Sequence, residues 1–239
     1  MAHPDDRRSV GRPRSTPALD LPSLTPLPTA AERAAEVIRE NIFEGRFPPG
    51  VALPESALAQ ALQVSRNTVR EAFRTLVHDH LLTYEPHKGV TVRALTAGDV
   101  RDIYRLRRML ELSAIDLLAR GEGTLDRATL TDSLNAADRA AAADDWVTAG
   151  TANLRFHTLL VAVHASPRID ELFRRLMTEM RLGFLALTDP HAFHEPYLSR
   201  NHELTDLLGA GRWDEARADL DRYLDDALRQ VVAAVDADR

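Results

Sequence analysis

The segment Val64-Ser65-Arg66-Asn67-Thr68-Val69-Arg70-Glu71-Ala72 concentrates side chains that hold and read nucleic acid. Arginine pairs bidentately with guanine O6 and N7, and asparagine with adenine N6 and N7. Threonine donates to phosphate oxygens. On a helix begun by Ser65, the residues Arg66, Asn67 and Arg70 fall in the first two turns, off the apolar face formed by Val69, Phe73, Leu76 and Val77. The Ser65 cap leaves free backbone N–H groups at that end, which suit a phosphate. Further on stand His87, Lys88 and Gly89. Lys88, the single lysine among 30 basic residues, brings charge to a loop tip, and Gly89 lets the backbone approach a duplex closely. The candidate DNA contacts are therefore Arg66, Asn67, Thr68, Arg70, Lys88 and Gly89. Merely solvated arginines are the plainer alternative, but the ordered series of cap, arginines and basic loop favours DNA.

The surrounding pattern supplies elements that position these groups. Residues 1–29 hold six of the 13 prolines and read as a disordered tail. Within it Gly11-Arg12-Pro13-Arg14 resembles the core of an AT-hook, although so short a match fits an arginine-rich tail better. From Ala30, the spacing of Ala34, Val37, Ile38, Ile42 and Phe43 predicts a helix, with Thr29 and Glu32 as a capping box and Gly45 as its end. Pro54 opens a short helix with Leu58, Ala61 and Leu62. After the Ser65 helix, Leu81 to Tyr84 and Val90 to Val92 read as a strand pair. Beyond Leu95 only helical periodicity remains, over 97–120, 125–143, 145–164, 167–188, 196–209 and 212–236. The expected fold is mainly α: a winged helix-turn-helix with a small β-hairpin wing over 30–95, then an all-helical bundle of six to seven helices over 96–239.

Composition sets outer bounds. The chain has 239 residues, enough for a sizeable core, and no cysteine, which excludes disulfides, thiol nucleophiles and thiolate metal sites. No apolar run reaches the roughly 18 residues that span a bilayer, and the N-terminus lacks a secretory pattern, so a cytoplasmic protein without a membrane partner is expected. The net charge of −6 divides as +1 over 1–29, zero over 30–95 and −7 over 96–239. Phosphate contact therefore belongs to the first 95 residues. There is no G-x-S-x-G, phosphate-binding glycine loop or H-E-x-x-H motif, and nothing arranges a nucleophile with a base, so no enzyme and no required cofactor are expected.

The N-terminal residues resemble the GntR family of bacterial transcription regulators, from roughly Ala30 to Leu95. The likeness is carried by Ile42 to Gly50 (IFEGRFPPG), Leu53-Pro54-Glu55, Leu58-Ala59, Val64-Ser65-Arg66, Val69 to Ala72, Leu76, Leu81-Leu82 and Gly89 to Val92. It implies DNA contacts at Arg66, Thr68, Arg70 and Lys88-Gly89. Ser56 departs, standing where many relatives carry a DNA-touching arginine. The second half resembles the helical effector domain, FCD, of the FadR-type subfamily, through Asp99 to Glu111, Asn153 to Pro167 and Leu204 to Leu224.

That resemblance implies a metal held by one Asp and three His, at positions occupied here by Asn153, His157, Asn201 and Tyr223. Only His157 is kept. Asn153 and His157 share a helix face, and His202 stands one residue from an expected ligand, about 100° round the helix. A zinc, nickel or manganese ion on His157, Asn153 and His202 is a minor alternative to an absent metal. Without metal, Arg107, Asn153, His157, Asn201 and Tyr223 form a candidate effector site. An uncompensated buried Arg107 would suit a carboxylate, whereas a salt bridge to Glu111 would satisfy it within the chain. The resulting expectation is a homodimeric regulator, a repressor by analogy, bound to double-stranded palindromic operator DNA and modulated by a small molecule. A constitutive DNA binder and an enzyme built on the bundle are the alternatives.

Overall fold

The computed structural model describes residues 28–85 and 89–237. The Gly11 to Arg14 segment, His87 and Lys88 lie outside the described residues. Helix α1 (Ala30–Phe43) starts at a capping box: Thr29 accepts from the Glu32 N–H at 3.1 Å, and Glu32 accepts from the Thr29 N–H at 2.7 Å. Gly45 ends it at φ +78°, a backbone region that glycine enters without strain. Helix α2 (Glu55–Ala61) and α3 (Arg66–His78) follow, joined by a turn in which Gln63 takes φ 54°. The antiparallel strands β1 (Leu82–Glu85) and β2 (Gly89–Val92) pair Leu82 with Val92 and Glu85 with Gly89. Together these elements are the expected winged helix-turn-helix.

The bundle consists of α4 (Ala97–Ala119), α5 (Arg127–Ala142), α6 (Trp146–Val161), α7 (Pro167–Phe184), α8 (Pro190–Gly209) and α9 (Trp213–Ala237). Helix α4 packs on α9 and α5 on α6. Six of the described helix starts carry side-chain caps on the N–H three residues ahead: Thr96, Asp126, Asp145 and Asp189 in the bundle, Thr29 before α1 and Ser65 before α3. Helix α8 begins six residues before the expected Pro196. Pro190 at its first turn and the Asp189 cap start it, and the ladder continues past Pro196. Val37 (46% exposed) and Val77 (38%) were expected inside but face outward, because Ala34, Ala35, Ile38 and Ile42, and Val69, Ala72, Phe73 and Leu76, already cover the core stripes.

Helix α7 grips the winged half along its length. Arg174 meets Glu36 of α1, and Arg175 meets Asp79 at the end of α3, each at 3.2 Å. Asp79 also accepts from Arg39 at 2.6 Å. Glu179 meets Arg93, in the strap between β2 and α4, at 3.2 Å. Burial pushes the Glu179 carboxyl up to about 7, against the pull of Arg93. Arg181 is buried without a carboxylate inside salt-bridge range among the described residues. It donates to the Phe43 carbonyl at 3.0 Å and the Val147 carbonyl at 2.9 Å, so it ties the end of α1 to the start of α6. Burial draws its guanidinium down to about 10, and Glu44 and Asp145 recover only part of the loss.

Candidate nucleic-acid interface and buried polar site

At the start of α3 the Ser65 hydroxyl accepts from the Thr68 N–H at 3.0 Å and lies 2.8 Å from the Thr68 hydroxyl. With Val69, Ala72, Phe73 and Leu76 buried, the helix leaves Arg66, Asn67 and Arg70 exposed on its outer face. Arg70 donates through Nε to Glu55 of α2 at 2.8 Å. That bond fixes the plane of the guanidinium while using only its inner nitrogen, so the terminal fork is the part presented outward. Asn67 donates to Glu71 at 3.0 Å. Glu55 offsets the charge of Arg70, whereas Glu71 holds the amide of the uncharged Asn67. A cleft of about 580 Å³ separates α3 from the hairpin, lined by Glu55, Arg70, Phe73, Arg74, Val77, Tyr84 and Val90. Gly89 stands at the hairpin end with φ +82°, and among the described residues a Cβ added there would meet nothing within 4 Å. Sequence reasoning missed Glu55 as the partner of Arg70, since a contact fifteen residues away leaves no periodic signature.

The second constellation lies inside the bundle. Arg107, Glu111, Asn153, His157, Asn201 and Tyr223 are all at most 4% exposed. Arg107 Nε donates to Glu111 Oε1 at 2.8 Å, and His157 Nδ1 lies 2.7 Å from Glu111 Oε2. The Tyr223 hydroxyl lies 3.0 Å from His157 Nε2 and 3.1 Å from Asn153 Oδ1. Asn201 Nδ2 donates to the same Asn153 oxygen at 2.6 Å. Burial alone would raise the Glu111 carboxyl, but Arg107 and His157 outweigh it and hold it below the ordinary range. Burial, with Arg107, pushes His157 down despite Glu111, which favours the neutral imidazole. An ionised Glu111 then puts the ring proton on Nδ1. Nε2 is then an acceptor, and it shares the single Tyr223 hydroxyl proton with Asn153 Oδ1. Arg107 Nη2, Asn201 Oδ1 and the Tyr104 hydroxyl are buried without a hydrogen-bond partner among the described residues.

The structure brings together all five sequence-derived effector residues and adds Glu111 at their centre. Of the two readings of Arg107, it selects the ion pair with Glu111. It does not assemble the metal trio. His202 faces outward, half exposed, and pairs with Asp138 at 2.9 Å, as the 100° helical step requires. His157 and Asn153 remain, but their ligating atoms are engaged with Tyr223 and Asn201. One imidazole, two amides and a phenol that bond one another make a poor donor set for a dication. Among the described residues no group of three or more His, Cys, Asp or Glu is placed to hold one. Of three other histidines in the bundle, His164 and His191 have local partners, whereas His194 Nδ1 is buried without a hydrogen-bond partner among the described residues. His164 lies 3.0 Å from the Leu110 carbonyl, His191 stacks on Trp146 at 4.4 Å, and His194 is buried edge-on against Phe184 and Phe193. Glu111, His157 and Tyr223 stand in the order of a hydrolytic relay, but burial pushes the phenol pKa far up and leaves its oxygen out of reach of substrate.

Comparison with known proteins adds three findings. Residues 30–92 match the family described as bacterial regulatory proteins, gntR family, and residues 102–226 match the FCD domain. A crystal structure of a GntR transcriptional regulator from Rhodococcus sp. RHA1 is 42% identical and superposes with a TM-score of 0.80, covering 85% of this chain and 98% of that one. The uncharacterized HTH-type transcriptional regulator YdhC of Bacillus subtilis is 41% identical over 81 residues, 34% of this chain and 36% of that protein. The HTH-type transcriptional repressor GlaR of Escherichia coli is 29% identical over 146 residues, 58% of this chain and 65% of that protein. Among the described residues no helix is long and apolar enough to cross a membrane.

Proposed function

The chain belongs to the gntR family of DNA-binding bacterial regulators, in the branch that carries an FCD domain, and from that premise we propose a cytoplasmic homodimeric repressor. Each protomer inserts α3 into the major groove of one half of a palindromic operator, and the hairpin flanks it. Arg66, Asn67 and Arg70 face base edges, Thr68 and the capped helix end face phosphate, and the wing, with Lys88 and Gly89, follows the backbone. One observation carries this reading: Ser65 caps a helix whose apolar face is fully used, so that its arginines and asparagine have only the outer groove-facing side. Met109 on α4 (64% exposed) and Leu172 on α7 (48%) are large apolar side chains on two packed helices, which supports a protomer contact there. Repression follows from position, since a dimer seated on promoter DNA obstructs polymerase; GlaR carries that name.

A small molecule held by the buried site of the bundle changes the seating of α7, and thereby of α1 and α3. It acts only if it binds one arrangement more tightly than the other. Selecting operator fragments from random DNA and measuring fluorescence anisotropy tests the first half. Arg70→Ala is expected to lower specific affinity at least about fivefold with unchanged melting, in line with about 1–3 kcal/mol for a lost bidentate base contact. Equal affinity would overturn the assignment of α3. A constitutive binder is the second reading, favoured by the internal pairing of Arg107. It predicts that no added metabolite shifts either the melting temperature or operator affinity.

A further inference from the structure

The buried site already contains a carboxylate, and it belongs to the chain. Both oxygens of Glu111 are held, one by Arg107 Nε and one by His157 Nδ1. Two convergent donors of this kind are what a protein offers to a carboxylate ligand. Arg107 and Glu111 compensate one another at 2.8 Å, and the second Glu111 oxygen is taken by His157 Nδ1 at 2.7 Å. A second anion would have to displace Glu111 or add an unpaired charge to a region at most 4% exposed, and burying an unpaired charge is strongly unfavourable. A dication meets the same closed balance and a donor set whose atoms already bond one another. What remains unmet is hydrogen-bonding capacity of both signs: a donor on Arg107 Nη2, an acceptor on Asn201 Oδ1 and the Tyr104 hydroxyl.

We infer that Glu111 is a built-in counter-anion standing in for a carboxylate ligand, so that this site selects uncharged, hydrogen-bonding molecules and rejects carboxylates and divalent metals. The inference rests on the proposed effector role of the bundle, and it concerns only what that site can take.

Chemical rescue in the full-length protein tests it, with no effector needed. Melting temperatures are compared for wild type, Glu111→Ala and Glu111→Gln in sodium chloride, acetate, formate and acetamide at equal concentration, and with zinc chloride alone. Glu111→Ala opens a carboxylate-sized space beside Arg107 and His157. It is expected to melt about 10 °C lower, from the usual cost of orphaning one member of a buried ion pair. Formate or acetate should recover more than half of the loss, whereas chloride and acetamide recover none. The wild type should respond to neither acetate nor zinc. A wild-type rise with acetate or zinc that Arg107→Met or His157→Ala abolishes would overturn the inference, as would a folded Glu111→Ala without rescue. Should Glu111→Ala fail to fold, Glu111→Gln keeps the shape without the charge. It is expected to melt lower than wild type and to recover when Arg107→Met is added. No recovery in that double variant would also overturn the inference. If rescue succeeds while operator affinity ignores every uncharged ligand, the effector role fails and the counter-anion stands.

Discussion

Replacing Tyr223 by phenylalanine removes one oxygen from the closed network and leaves its shape intact. The hydroxyl is buried and lies within 3.1 Å of two groups, His157 Nε2 and Asn153 Oδ1. Asn153 Oδ1 keeps its bond from Asn201 at 2.6 Å, so the loss falls on His157 Nε2, which becomes a buried acceptor without a donor. Such an orphan costs about 1–3 kcal/mol. In a chain of this size each kcal/mol moves the melting temperature by roughly 2–4 °C. Tyr223→Phe should therefore melt about 5 °C lower by differential scanning calorimetry. Tyr197→Phe is the control, since among the described residues that hydroxyl only accepts from the exposed Gln230 amide at 3.1 Å, and its loss should cost about 1 kcal/mol or less. If Tyr223→Phe melts within about 1 °C of wild type, the hydroxyl trades its bonds with water. The dry, charge-balanced site would then be refuted, together with the ligand selection drawn from it.

The Glu179 carboxyl, raised to about 7 in the folded chain from an ordinary 4.5, keeps a proton that the unfolded chain has released. Stability attributable to this group is thus highest below pH 4.5, falls as pH rises toward 7, and stays reduced above it. Glu179→Gln should gain melting temperature over wild type at pH 8 and show little difference at pH 4.5; a pH-independent difference would contradict the burial argument. Gly150→Ala should destabilise by about 1–3 kcal/mol although alanine is the better helix former, because its Cβ would lie 2.6 Å from His194 Nε2 and 3.1 Å from Arg181 Nη1. Unchanged urea denaturation would show that both tips yield freely. Glu55→Gln should raise affinity for non-operator DNA and steepen its salt dependence, since Arg70 is no longer held against a carboxylate. An unchanged salt slope measured by anisotropy would show that the Glu55 carboxylate does not oppose the approach of DNA.

Much of the winged half was legible because its instructions are local. The Thr29 and Ser65 caps, Gly45 and the hairpin each act within a few residues, and each was read from adjacent side chains. The boundary of α8 was missed because proline reads as a stop, although one proline within a capped, packed helix removes only one donor. Val37 and Val77 face outward because helical periodicity marks a stripe without saying how much of it the partner helix covers. The members of the buried site were found through family position, yet the choice of Arg107 between a ligand and Glu111 was not legible. It depends on where His157 of α6 and Tyr223 of α9 arrive beside α4, which is a matter of tertiary packing.

The grips of α7 on the winged half bear on how the chain comes apart. Asp79, Arg39 and the Phe43 carbonyl complete their bonding through residues 175 and 181 of the bundle or through one another, and Arg93 depends on Glu179 and Asp99. A head fragment cut after Leu95 would lose the bundle-side partners of Glu36, Asp79, Arg93 and the Phe43 carbonyl at once, keeping Arg39 beside Glu36 and Asp79. These shared contacts predict that heat dissolves the reading head and the bundle together, and calorimetry should show a single transition; two separate transitions would mean that each half holds its own fold.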